Sequence, residues 1–93
     1  MIVGVLSVDV AVLDARSLKD KRRVLKGLKD RVRRKFNVSV SEVADHDLIK
    51  RGRLGVAMVS TEARPIHSQF DRIVDLIRAT PYATLVDYER SMW

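Results

Sequence analysis

Lys19, Arg22, Lys26, Lys29 and Arg33 follow one another at intervals of three, four, three and four residues. On an α-helix that spacing aligns them in one continuous stripe. Arg23 and Arg34 lie just behind it. The chemistry open to such a stripe is phosphate binding. Cations one helical turn apart can follow a nucleic-acid backbone, and each neutralised phosphate releases condensed counterions. Contacts of that kind fix position without reading base sequence. The other chemistry open to it is ion pairing with Asp and Glu from elsewhere in the chain or from a second copy, as in dense ion-pair networks. Both readings fit the residues.

Other chemistry-bearing groups are sparse. Asp45, His46 and Asp47 are adjacent potential metal donors. Neighbours on one loop rarely converge on one ion, and no second cluster has ligand spacing, so no metal site is expected. An Asx-type turn, with Asp47 capping a short helical turn, is the plainer expectation. His67 has no Ser/His/Asp context and reads as a surface or partly buried helical residue. Ser7 and Asp9 share one strand face and form a polar patch, suited to a core edge or a subunit contact. Gly4, Gly27, Gly52 and Gly55 are scattered, so there is no phosphate-cradling loop. There is no cysteine, which excludes a thiol nucleophile, a disulfide framework and any Cys-ligated metal. No catalytic residue and no cofactor are expected, and the chain does not read as an enzyme.

The elements that must position the stripe are legible from periodicity. Residues 2–13 read as a central strand, with Ile2, Leu6, Val8, Val10 and Val12 on its core face. Asp14 to Ser17 form a turn in which Ser17 is the N-cap. A helix follows to about Phe36, its apolar arc formed by Leu18, Val24, Leu25, Leu28, Val32 and Phe36, with Asn37 as its stop. Val38–Ala44 alternate as a half-exposed strand, 45–52 form a loop, and Arg53–Ser60 form a third strand. Ile66, Phe70, Ile73 and Ile77 mark the buried stripe of a second helix over 61–80, with Pro65 in its first turn. Residues 82–90 form the last strand. The order β-α-β-β-α-β predicts an α+β fold over 1–93 as a single domain: a ferredoxin-like sandwich, a four-stranded antiparallel sheet with two helices on one face.

Charge is concentrated rather than spread. The net charge is +6, yet residues 16–35 hold eleven Lys or Arg against Asp20 and Asp30. That segment carries +9 and the rest of the chain −3. A mildly acidic body therefore bears one strongly basic helix. The apolar N-terminal run contains Asp9, lacks a basic leader and is too short to span a bilayer, which points to a cytoplasmic protein that does not enter the membrane. Like charges at helical spacing cost roughly 0.2–0.5 kcal/mol per pair, and Asp30 is expected to relieve part of this through Arg34. The aromatic residues avoid both strands that should be central, so RNA stacking on the sheet face is not expected. Gly27 lies opposite the apolar arc. Either a tolerated accident or close approach by a partner would account for it.

The segment "SLKDKRRVLKGLKDRVRRKFNVSVSEV" resembles the YlxP-like family, small bacterial proteins classed as a domain of unknown function. "DHDL", "LGVAMVS" and "LVDYE" are similar to it as well, so the resemblance covers nearly the whole chain. It implies a ferredoxin-like fold. It also implies a tie to translation, because such genes often lie beside translation-initiation and ribosome-binding-factor genes. It supplies no catalytic residues. The expected function is a non-catalytic RNA- or ribosome-associated module whose nucleic-acid-binding residues are Lys19, Arg22, Arg23, Lys26, Lys29, Arg33 and Arg34. The alternative is a protein-interaction module that forms a homo-oligomer through its sheet face, with the basic helix paired to acids.

Overall fold

The chain forms β1 (Ile2–Ala11), α1 (Leu18–Lys35), β2 (Ser39–Ala44), β3 (Arg51–Ser60), α2 (Ala63–Arg78) and β4 (Thr84–Met92), in a computed structural model that describes all 93 residues. The strands make one antiparallel sheet in the order β2-β3-β1-β4. Both helices lie on the same face, and their apolar stripes share one core with that face. This is the ferredoxin-like sandwich that the element order predicts.

The core follows the alternation in β1. Leu6, Val8 and Val10 are fully buried, while Ser7 and Asp9 between them face the open side. Ile66, Phe70, Ile73 and Ile77 are all buried as the second helix packs on the sheet, each with roughly 1.5–3 kcal/mol of transfer free energy. Gly4 marks where α2 crosses β1. A Cβ there would collide with Ile66 and meet the Phe70 ring at 3.1 Å.

Several boundaries differ from the sequence reading. β1 ends at Ala11 rather than residue 13, where its pairing with Arg51 and Thr84 runs out. β3 starts at Arg51 because Gly52 pairs with Val10. β4 begins two residues later than expected, since Ala83 is drawn into the core after the turn at Pro81. Helix α2 is shorter than 61–80, with Glu62 as an N-cap that makes no side-chain cap bond. At α1, Ser17 caps as expected, its Oγ accepting from the Asp20 N–H at 3.1 Å. The stop at Asn37 is corrected. Phe36 leaves the helix in extended conformation at φ −134°, its ring packed against the core, and Asp45 is the non-glycine residue with positive φ.

The ladder phase decides what each edge presents. Val3 and Trp93 exchange both backbone bonds, so the odd residues of β1 are bonded to β4 and the even ones to β3. Carried across the register, this turns Val40 and Glu42 of β2 outward. No helix is long and apolar enough to cross a membrane.

Candidate nucleic-acid interface

Helix α1 packs so that its cationic stripe looks along the free edge of β2. Arg22, Lys26, Lys29 and Arg33 line a groove of about 390 Å³ with Leu25 at its wall and Glu42 on the β2 side. Arg33 is fixed there: Nη2 donates to Val40 O at 2.7 Å, and Nη1 lies 3.4 Å from Asp30 Oδ1. The relief expected from Asp30 therefore goes to Arg33 and not to Arg34. Arg22, Lys26 and Lys29 make no ion pair. Glu42 faces this groove yet is engaged from below by Lys21.

The stripe does not act as one unit. Lys19 is exposed in the first turn, outside the groove. Arg23 and Arg34 are exposed on the far side of the helix, flanking Gly27. A Cβ on Gly27 would meet nothing within 4 Å, so nothing inside the molecule requires glycine at that point. The seven predicted residues thus separate into four that converge on the groove and three that point elsewhere, all of them on α1.

Lys21 is the residue the charge pattern hides. It sits in the first helical turn and is completely buried. Its Nζ donates to the carbonyls of Asp45 at 2.8 Å, His46 at 3.2 Å and Arg51 at 3.1 Å. An ammonium has three donors, and three carbonyls take them. Glu42 Oε2, 3.2 Å away, supplies opposite charge without a hydrogen bond of its own. The macrodipole disfavours a cation at this end of the helix, and the carbonyls and Glu42 offset it. Lys50 ties the same hairpin to the β1–α1 loop through Leu13 O at 2.6 Å and Ala15 O at 3.0 Å. A signal for Lys21 existed: four residues before Leu25 and seven before Leu28, it falls inside the apolar arc.

The Asp45–His46–Asp47 segment forms the hairpin turn, closed by Leu48 N–H to Asp45 O at 3.0 Å. The left-handed backbone falls at Asp45, φ 62°, so Asp47 caps nothing. His46 Nε2 lies 3.2 Å from Glu42 O. His67 is exposed, with Nδ1 3.1 Å from Arg90. No group of three His, Asp or Glu side chains is placed to hold a metal ion.

The family model described as "Protein of unknown function (DUF503)" matches residues 3–90. The chain belongs to the DUF503 family. It is also similar to the Uncharacterized protein YlxP of Bacillus subtilis (strain 168), 37% identical over 79 residues that cover 85% of this chain and 86% of that protein. The DUF503 match takes in both helices and nearly the whole sheet, so groove and Lys21 clamp lie within it.

The open sheet face of this DUF503 protein has a polar end and an apolar end. At the polar end Asp9 and Arg53, cross-strand partners, form a bidentate pair at 2.8 and 3.0 Å. The Arg53 hydrogen bonds hold the Asp9 carboxyl below its ordinary range, burial opposes this, and the charges of Arg53 and Arg51 reinforce it. The same pairing raises Arg53. Ser7, Asp87, Tyr88 and Glu89 complete a small polar pocket of about 190 Å³. At the apolar end Val59 and Trp93 flank Val3.

Proposed function

We propose that this protein is a cytoplasmic, non-catalytic RNA-binding module, working at or near the ribosome, that holds phosphate groups along α1. One observation carries this reading. Lys19, Arg22, Arg23, Lys26, Lys29 and Arg34 are unpaired cations on a single helix, although the molecule has twelve acids. Unneutralised cations at helical spacing are the electrostatic footprint of a phosphate partner. The groove beside β2 gives the phosphates a path, and Arg33 is already oriented in it.

Filter binding of single-stranded and structured RNA over a range of salt tests the reading. For a single strand the slope of log affinity against log salt is about −0.7 per phosphate engaged. Four groove cations predict a slope near −3 by that relation. Combined charge reversal of Lys19, Arg22, Lys26 and Arg33 should abolish binding, and unchanged affinity would overturn the reading.

A second reading is favoured by the apolar end of the open face, where Val59 is 59% and Trp93 77% exposed. In that reading the protein is an interaction module that self-associates through this face, with acids of one copy against the α1 cations of another. Light scattering across protein concentration separates the two: a monomer that binds RNA supports the first.

A further inference from the structure

The two edges of the sheet are finished differently. On β2 both outward carbonyls are covered, Val40 O by Arg33 and Glu42 O by His46. On β4 the N-terminal half is interrupted. The register slips between Asp9 and Val10, leaving Val86 without a partner, and the Tyr88 N–H donates to Asp87 Oδ1 at 2.8 Å. The C-terminal half has no such cover. The mutual bonds of Val3 and Trp93 turn Arg90 and Met92 outward, and no side chain bonds to the backbone of either. The Arg90 guanidinium is directed instead to Asp71 at 2.7 Å and to His67 on α2. Two N–H and two C=O groups thus stand unpaired on a regular, fully laddered strand, a template for another strand.

Charge decides what that strand is. Arg53 is engaged with Asp9, so Asp87 and Glu89, on the open face of β4, have no ion pair. Trp93 continues their row at 77% exposure. A second copy fits this edge poorly. Antiparallel self-pairing centred on Tyr88 sets Asp87 against the other copy's Glu89, centring on Glu89 sets Glu89 against itself, and centring on Arg90 sets two arginines face to face. Like charges directly opposite destabilise such a ladder, and centring on Ser91, which avoids them, sets Glu89 against Trp93 and leaves Asp87 and Glu89 without a cation.

We infer that the C-terminal half of β4 receives an extended basic segment of another protein as a fifth strand. The segment's backbone bonds Arg90 and Met92, its alternate side chains place Lys or Arg opposite Asp87 and Glu89, and an apolar residue covers Trp93. The α1 groove lies at the other edge of the sheet, so this surface neither needs nor excludes RNA there.

The chain's one tryptophan is Trp93, so its emission reports the site. The probe is a capped seven-residue peptide of Thr with Val at the first position and Lys at the fifth and seventh, the order an antiparallel strand requires. Titration at low salt should give a saturable change in Trp93 emission. Glu89→Lys should weaken binding roughly fivefold, the upper range for a cross-strand charge pair, and a peptide with Glu in place of Lys should bind that variant better than the original protein. Met92→Pro removes an outward N–H without touching the β1 ladder, and with circular dichroism unchanged it should abolish binding. The inference is overturned by no saturable change at millimolar peptide, by undiminished binding to a folded Met92→Pro, or by equal binding of Lys and Glu peptides to the original protein. It is equally overturned if Trp93 emission changes on dilution of the protein alone, which would show a second copy covering Trp93.

Discussion

Replacing Lys21 by methionine keeps most of the side-chain volume and removes one buried charge. Three carbonyls, of Asp45, His46 and Arg51, then lose their donor, and Glu42 loses its counter-charge in a site only 14% exposed. Removing one member of a buried pair costs about 3–5 kcal/mol. A 93-residue domain has roughly 5–14 kcal/mol in total, at 0.05–0.15 per residue, so the variant sits near the limit of folding. Denaturant unfolding of Lys21→Met, Glu42→Gln and the double variant measures the effect. Glu42→Gln should cost less, because Lys21 keeps its three carbonyls, and the double variant should fall short of the sum by about 0.5–3 kcal/mol. At a temperature where the double variant is folded, its RNA affinity should stay within roughly twofold of the original, since it removes a buried ammonium that neutralises no phosphate together with the Glu42 charge that faces the groove. A stability loss under about 1 kcal/mol, the size of an exposed pair, would refute the clamp.

Gly27→Ala should raise stability by up to about 1 kcal/mol, because no atom opposes the new methyl; a melting curve checks this, and a loss of RNA affinity in the same variant would place the partner's backbone against that turn. Gly4→Ala should do the reverse, destabilising by roughly 1–3 kcal/mol as Ile66 and Phe70 are forced aside; denaturant midpoints decide it. Asp9 has a lowered folded pKa, so its contribution is complete above the ordinary carboxylate value and is lost as pH falls through the folded one. The melting-temperature gap between the original protein and Asp9→Asn should therefore be widest near neutrality, begin to narrow at about pH 4, and close only as pH falls below the lowered folded value. A gap independent of pH would refute the Arg53 assignment. Within the RNA assay, Arg22→Glu/Lys26→Glu should flatten the salt slope more than Arg23→Glu/Arg34→Glu, because only the first pair lines the groove.

Periodicity made the fold legible. The alternation in β1 and the four-three-four steps of Ile66, Phe70, Ile73 and Ile77 each reflect burial on one face, and burial is what they record. The ends of β3 and β4 were less legible, because they depend on which residues of β1 are opposite and not on local composition. The β2 and β4 edges were not legible at all, since ladder phase belongs to paired strands. At the site, counting charge singled out α1 and helical spacing selected seven of its cations, but neither could tell which cations are engaged within the molecule. Tertiary contacts divide them: Lys21 holds a hairpin, Arg31 reaches Thr80 Oγ1 at 3.3 Å, and Arg33 guards Val40. The position of Lys21 inside the apolar arc carried that distinction, and its charge concealed it.

The disposition of the acids bears on why the remaining cations are left bare. Like-charge neighbours on α1 each cost roughly 0.2–0.5 kcal/mol, and an acid beside them would remove that cost. Of the twelve acids, Asp20 and Asp30 lie on the helix, Glu42 faces it across the groove, and Asp14 stands near Arg23 without pairing to it. Asp20 Oδ2 accepts from the Arg16 backbone N–H, Asp30 serves Arg33, and Glu42 serves a cation that is already buried. Asp9 is engaged across the sheet and Asp71 at α2, while Asp87 and Glu89 stand on the far edge. Selection for stability alone would move one of these next to Lys26 or Lys29 at little structural cost. Their absence from that face keeps its potential positive, and a positive face along a groove is useful only to something that brings the negative charge with it.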